Sequence, residues 1–365
     1  MKIVIETKLL MRVLKEITKV ITGTKTTLDI LQNFLFEIEN NELKISATNL
    51  DYSVQSKIIV ESEGSTKFTL PIRAFTNIIS SLDTETVEIE PTGNSVIVKT
   101  NGSKYNLSVH PAEDFPKILT IPEDNSFILD KYTLERGVGK VEFCVASNDP
   151  RPFLNGVLVK VKNGELHLVG SDAHRLGLWI QRGLPEEINL EVIVYPGVFD
   201  FLQAREDDTV EIRFMDNFFG LYFPDAFVTS KTLEGPYADY MGIMPQEEGT
   251  VFQTETRKLL SILRRAKEFF TPPYNSIRWS LSSSSIISAQ NPDIGEMEER
   301  LEGEFTGEEM EIILNGKYLT EIVRHIDSDE IRFHFYGTTA PVKIEPAGLE
   351  SEEEYLYLLM PIYEE

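Results

Sequence analysis

Thr7-Lys8-Leu9-Leu10-Met11-Arg12-Val13-Leu14-Lys15-Glu16-Ile17-Thr18-Lys19-Val20-Ile21 is the stretch on which the fold turns. Set on a helix, Lys8, Arg12, Lys15 and Lys19 fall within about 60° of one another, and Leu9, Leu10, Val13, Leu14, Ile17, Val20 and Ile21 take the opposite side. One face is core and the other is cationic. Segments of this kind return from Tyr132 to Val145 and from Thr254 to Phe270. A second kind follows an apolar run each time, from Pro71 to Leu82, Tyr195 to Ala204 and Leu314 to Ile326. Both series step by roughly 120 residues, close to the commonest domain size. The reading is three copies of one α+β domain, at 1–120, 126–245 and 246–365, each with two helices packed on antiparallel sheets.

Short runs with period-2 alternation fill the spaces between helices, as in Phe34-Leu35-Phe36-Glu37-Ile38 and Leu43-Lys44-Ile45-Ser46-Ala47, and predict short antiparallel strands. Turn-rich stretches from His110 to Asp124 and from Gly235 to Gly249 close the first two units. Asn101-Gly102 between alternating runs predicts a hairpin, and Ser282-Ser283-Ser284-Ser285, flanked by apolar residues, predicts a strand or hairpin turn.

A chain of 365 residues, 41% hydrophobic and 26% charged, buries sizeable cores and belongs with soluble globular proteins. No run is apolar and long enough to span a bilayer, and the start lacks the apolar core of a signal peptide, so the expected address is cytoplasmic. Cys144, the single cysteine, excludes an intramolecular disulfide and reads as a small core residue. Against 35 basic residues stand 59 acidic ones, a net charge of −24 that argues against general attraction to nucleic acid. Over a Debye length of roughly 8 Å, position matters more than the total.

The position is informative. The third unit's helix carries Arg257, Lys258, Arg264, Arg265 and Lys267, and the second unit's carries Arg136 and Lys140, in a helix weakened by Gly137 and Gly139. A lone charged face is ordinarily just solvated. Recurrence in three repeats on an acidic background points instead to a surface for phosphates, and with no base-reading motif beside it such binding positions without specifying. Phosphate-cradling loops and metal-ligand spacings are absent, so neither cofactor nor metal is expected. Ser171-Asp172-Ala173-His174-Arg175-Leu176 holds Ser, Asp and His, but a relay needs partners converging from separate segments. A turn in which Asp and His bond the backbone is the better reading, and a hydrolase using Asp172 and His174 ranks last.

From Asn148-Asp149-Pro150-Arg151-Pro152-Phe153-Leu154-Asn155-Gly156 to Leu168-Val169-Gly170-Ser171-Asp172-Ala173-His174-Arg175-Leu176, the chain resembles the β sliding clamp family of bacterial replicative polymerases. The likeness extends through His110-Pro111-Ala112-Glu113-Asp114-Phe115-Pro116, Thr229-Ser230-Lys231-Thr232-Leu233-Glu234-Gly235 and Tyr357-Leu358-Leu359-Met360-Pro361. It implies a non-enzymatic processivity factor: a head-to-tail homodimer whose six domains ring duplex DNA without sequence specificity. The implied partners are the replicative polymerase, the clamp loader, and other clamp-motif proteins such as repair polymerases, mismatch-repair proteins and ligase.

It further implies a partner-peptide groove walled by Phe153, Leu154, Ser171, Ala173, His174, Arg175, Leu176, Ile243, Tyr274, Asn315, Tyr318, Pro341, Leu358, Leu359 and Met360. Ala173 stands where the family usually has Gly, Ala238 where Pro is common and Gly242 where Arg often stands, which bears on groove shape and peptide preference. For DNA the resemblance adds Lys25, Asn148 and Arg151, and a nucleoid-associated location. It places dimerisation at edge strands of the first and third domains. Lys99 and Lys104 lie on a candidate edge hairpin of the first, while Glu296, Glu298, Glu299, Glu302 and Glu304 crowd the third, with Phe269 and Phe270 as apolar contributors. The rival from another class is a monomeric acidic scaffold that binds peptides without encircling DNA.

Overall fold

A computed structural model of the chain describes residues 1–21, 28–62, 64–245, 249–273, 275–348 and 353–363. Lys25 and Tyr274, two expected site residues, lie outside them. The first repeat runs β1 (Ile3–Glu6), α1 (Thr7–Ile21), β2 (Asn33–Glu39), β3 (Glu42–Thr48), β4 (Tyr52–Ile59), β5 (Glu61–Ser62), β6 (Thr66–Pro71), α2 (Ile72–Ser80), β7 (Thr86–Pro91), β8 (Ser95–Lys99) and β9 (Lys104–Ser108). The second runs β10 (Ser126–Asp130), α3 (Lys131–Val141), β11 (Val157–Lys162), β12 (Glu165–Ser171), β13 (Arg175–Arg182), β14 (Leu190–Val194), α4 (Asp200–Gln203), β15 (Thr209–Met215), β16 (Phe218–Tyr222) and β17 (Ala226–Lys231). The third runs β18 (Thr250–Glu255), α5 (Thr256–Ala266), β19 (Ser276–Leu281), β20 (Ile286–Asn291), β21 (Gly295–Arg300), β22 (Glu304–Thr306), β23 (Met310–Asn315), α6 (Gly316–Arg324), β24 (Glu330–Phe335), β25 (Val342–Pro346) and β26 (Glu353–Leu359).

Every repeat builds the same two strand orders. They are β1-β7-β8-β9 with β6-β2-β3-β4, then β10-β15-β16-β17 with β14-β11-β12-β13, then β18-β24-β25-β26 with β23-β19-β20-β21. The last strand of one array joins the next repeat: β4 pairs antiparallel with β17, Val54 opposite Val228, and β13 with β26, Leu176 opposite Leu358. The chain accordingly packs as two compact units, residues 1–135 with 194–232 and residues 136–193 with 233–365.

In the first unit α1 buries Leu10, Val13, Leu14, Ile17, Val20 and Ile21, as its period demands, and Phe36 stacks on Phe68 and meets Phe75 edge-on. In the second, Trp279 packs among Phe252, Phe333 and Phe335, its indole N–H donating to the buried Ser285 hydroxyl at 2.7 Å. The other three serines of that run fall in the β19–β20 turn, and Asn101-Gly102 lies between β8 and β9. Gly137 has a packing reason: a Cβ there would fall 2.7 Å from the Trp179 ring. The second repeat's α4 is shorter than expected, a single turn after the 3-10 segment Pro196–Val198.

Candidate functional site

Between β12 and β13 the chain reverses on a turn built by its own side chains. The Ser171 hydroxyl donates to the Arg175 carbonyl at 2.8 Å and accepts from the Ala173 N–H, while Asp172 Oδ1 accepts from the N–H groups of His174 and Arg175. Ala173 sits at φ +70°, a conformation costing a residue with a Cβ about 1–2 kcal/mol, so the turn keeps its left-handed form without the usual glycine. Asp172 bonds the backbone as expected; the His174 ring instead stacks on Tyr318 at 6.3 Å. Arg175, 8% exposed, pairs with Asp172 and Glu321, donates to the Phe143 carbonyl at 2.6 Å and lies 4.4 Å over the Tyr318 ring. Asn315 caps α6 by accepting from the N–H groups of Lys317 and Tyr318. The Met360 N–H closes the rim on the His174 carbonyl at 2.9 Å.

On the other sheet face, Leu176 and Leu358 stand opposite each other within a cluster of Leu158, Val169, Leu178, Ile193 and Tyr240. Phe153, Tyr237 and Met244 pack at its margin, Phe153 edge-on to Tyr237 at 6.3 Å. Of the expected wall residues, Leu154 and Leu359 are 3% and 0% exposed, as closely buried as Leu176 at 4% and Leu358 at 2%; Leu359 follows Leu358 in a strand, where successive side chains point to opposite faces. Ile243 stays 49% exposed while its neighbour Met244 packs on the cluster. Pro341 is half-buried just before Val342, which pairs with Leu359. Tyr237, Met244 and Leu178 join the cluster without being among the expected wall residues. Alternation in Leu176-Gly177-Leu178 is the available signal for Leu178, whereas the other two lie in a stretch that reads as linker.

The cationic faces are partly as expected. Lys8, Arg12, Lys15 and Lys19 are all exposed, with Arg12 3.6 Å from Glu16 and the Lys19 ammonium donating to Gln203. On α5, Arg257, Lys258, Arg264 and Arg265 are exposed. Lys258 pairs with Glu255 and Glu302, and Arg265 with Glu299, whereas among the described residues Arg257 and Arg264 have no such ion pair. Arg136 is exposed, but Lys140 is a correction: at 5% exposure its ammonium donates to the His325 carbonyl, pairs with Asp327 at 2.6 Å and lies over the Tyr355 ring. That lysine is a buried tie, not part of a DNA face. Asn148 is exposed at φ +61°, and Arg151 holds Asp149 at 2.9 Å, its hydrogen bonds keeping that carboxyl down at about 2.

Sequence profiles of the DNA polymerase III beta subunit match in order: the N-terminal domain over residues 1–119, the central domain over 128–239 and the C-terminal domain over 241–363. The chain belongs to the DNA polymerase III beta subunit family. The beta sliding clamp of Vibrio cholerae is 27% identical over 369 residues, covering 99% of this chain and all of that one. That of Proteus mirabilis is 26% identical over 371 residues, with the same coverage. A Pseudomonas aeruginosa sliding clamp solved with griselimycin bound superposes with a TM-score of 0.92 at 26% identity, covering 100% of this chain and 99% of that one. The Bacillus subtilis clamp, at 24% identity and full coverage of both chains, shares the fold with a TM-score of 0.94.

In this beta-subunit chain two strand edges bear on assembly. β9 ends its five-stranded sheet and β21 its four-stranded one. Exposed Lys104 starts β9 opposite Lys99, which is 35% exposed and pairs with Glu88 and Glu90. Glu296 and Glu298 are exposed on β21, whereas Glu299 and Glu302 bind the α5 cations and Glu304 belongs to β22 in a different sheet. Of the residues expected at the interface, Lys104, Glu296 and Glu298 are the exposed charges on the β9 and β21 edges. Phe269 is half-buried, and Phe270, also half-buried, packs against Gly316, where a Cβ would fall 2.4 Å from its ring.

Proposed function

We propose that the chain is a sliding clamp: two copies join head to tail into a ring around duplex DNA, and a groove on each tethers replication proteins. One observation carries this reading. At both internal seams the last strand of a repeat's second array joins the last strand of the next repeat's first array, β4 to β17 and β13 to β26. The same rule leaves β21 and β9 as the two ends of the series, and it is met when β21 of one copy pairs with β9 of another. Such a contact is heterologous, and it either closes a ring or propagates.

The exposed cations of α1 in one unit and of α5 in the other each offer a face to phosphates, and the His174–Arg175–Tyr318 rim with the Leu176–Leu358 cluster supplies a mostly apolar seat for an extended peptide. The polymerase, clamp loader and repair proteins are its proposed occupants. The three domains are placed at 1–120, 126–245 and 246–365. A monomeric scaffold would leave both edges bare, a recognised aggregation liability. Sedimentation at micromolar concentration is expected to give a dimer. After loading onto nicked circular DNA, the protein is expected to stay bound and to leave when the circle is cut. A monomer, or equal retention on both DNA forms, overturns the proposal.

A further inference from the structure

Comparing the repeats exposes a strand edge that is covered twice and left open once. In the first repeat β5 lies antiparallel on β1, Glu61 opposite Val4 and Ser62 opposite Ile3. In the third, β22 lies antiparallel on β18, Glu304 opposite Gln253 and Phe305 opposite Phe252. Val4 and Gln253 each stand two residues before the strand ends at Glu6 and Glu255, and Ile128 holds that place in β10, two before Asp130. Among the described residues β10 pairs with β15 alone. Val4 and Gln253 are half-buried; Ile128 is 69% exposed, and Tyr132 just beyond is 57% exposed.

We propose that the open edge of β10 is a strand-addition site for a short extended segment of a partner protein, apolar opposite Ile128 and basic at its ends. The covering strands of the sibling repeats define the geometry, an antiparallel segment of two or three residues. Main-chain hydrogen bonds along such an edge supply the affinity and alternate side chains the selectivity. An exposed isoleucine favours an apolar residue directly opposite. Asp124 and Asp130 are exposed at the two ends of the strand, which sets the charge of the flanks, whereas half-buried Glu135 is paired with Lys131 at 3.6 Å. The same acids disfavour a second copy: antiparallel pairing of β10 with itself would bring Asp130 of one chain toward the Asp124 end of the other.

The probe is a fluorescein-labelled, end-capped peptide of sequence Lys-Thr-Val-Thr-Lys, whose central valine falls opposite Ile128 when its first lysine stands opposite Asp130, titrated into the full chain by anisotropy with hydrogen exchange read in parallel. Saturable binding is expected, with exchange slowed at least about tenfold at Ser126, Ile128 and Asp130, which alternate with Asn125, whose carbonyl accepts from the Phe214 N–H of β15. Ile128→Lys, at an exposed position that leaves the fold intact, is expected to weaken binding by about tenfold or more, and a peptide with Pro at its centre is expected not to bind. Equal binding to Ile128→Lys, protection at β9 or β21 instead of β10, or no binding at millimolar peptide overturns the proposal. So does self-association of the chain that Ile128→Lys abolishes, since that assigns the edge to a second copy. None of these outcomes depends on the clamp reading.

Discussion

Replacing Arg205 with methionine removes the guanidinium that holds α1 in place. Arg205 follows α4, and its side chain is 7% exposed; it reaches Glu16 of α1 at 3.2 Å, Asp207 at 2.8 Å, and Asp225. Glu16, also buried, is the one carboxylate in the α1 stretch that otherwise carries Lys8, Arg12, Lys15 and Lys19. Without Arg205 it keeps only Arg12, half exposed and 3.6 Å away. Breaking a buried pair from one side costs about 3–5 kcal/mol. Asp225 is 45% exposed and adds little, so the lower end, about 3 kcal/mol, is expected. For a unit of this size that shifts the urea midpoint by roughly 1 M.

Trp179 and Trp279 both lie in the other unit, so their fluorescence is an internal control, and far-UV circular dichroism together with exchange of the α1 amides reports the loss. Burial already raises the Glu16 carboxyl above its ordinary value, with Arg205 opposing that rise. A raised acid subtracts stability above its folded pKa and nothing below its unfolded one. Removing Arg205 raises it further, so the deficit should be larger near pH 8 than near pH 5. Adding Glu16→Gln should recover most of it. A midpoint shift under about 0.3 M, a pH-independent deficit, or a transition that moves in the tryptophan signal would refute the reasoning.

Gly137→Ala drives a methyl into the Trp179 ring and is expected to destabilise its unit by about 1–3 kcal/mol, with altered tryptophan emission; a neutral result would mean the ring has room to move. Burial pushes the Glu345 carboxyl up, but hydrogen bonds from His334 and Lys343 outweigh it and hold it at about 2. Because that folded value is depressed, its contribution of up to ~3 kcal/mol is present above the unfolded value near 4.5 and lost as pH falls toward 2. Urea melts by tryptophan fluorescence should show acid sensitivity that Glu345→Gln lacks. Lys8→Ala with Lys15→Ala should flatten the log–log salt dependence of duplex binding by about 0.9 for each phosphate no longer neutralised. An unchanged slope in anisotropy titrations takes these lysines off the DNA face.

The helix faces were legible because a period of 3.6 residues is written locally, and α1 buries the side its apolar residues mark. Lys140 was not legible. Its spacing from Arg136 puts it on the same side of the helix, but what covers it is Asp327, His325 and Tyr355, more than 180 residues away in sequence. The partners of Lys99 and Glu299 were equally out of sight: the hairpin that pairs Lys99 with Lys104 is local, but the ion pairs to Glu88, Glu90 and Arg265 are not. The Ser171–Arg175 turn could be located through the family resemblance, whereas the opposite facing of Leu358 and Leu359 follows from the alternation of their strand. The two-unit packing leaves no mark in periodicity, because it depends on which edges meet.

The turn between β12 and β13 has a twin in the first unit. There the Thr48 hydroxyl donates to the Tyr52 carbonyl at 2.6 Å, Asn49 Oδ1 accepts from the N–H groups of Asp51 and Tyr52, Leu50 stands at φ +77°, and the Lys231 N–H reaches the Asp51 carbonyl. One backbone template has therefore been kept while its decoration diverged, His-Arg in one copy and Asp-Tyr in the other. The β4–β17 and β13–β26 seams run inside the two compact units, so the repeat that recurs along the sequence is not the body that packs together. An excised single copy would carry raw strand edges into solution.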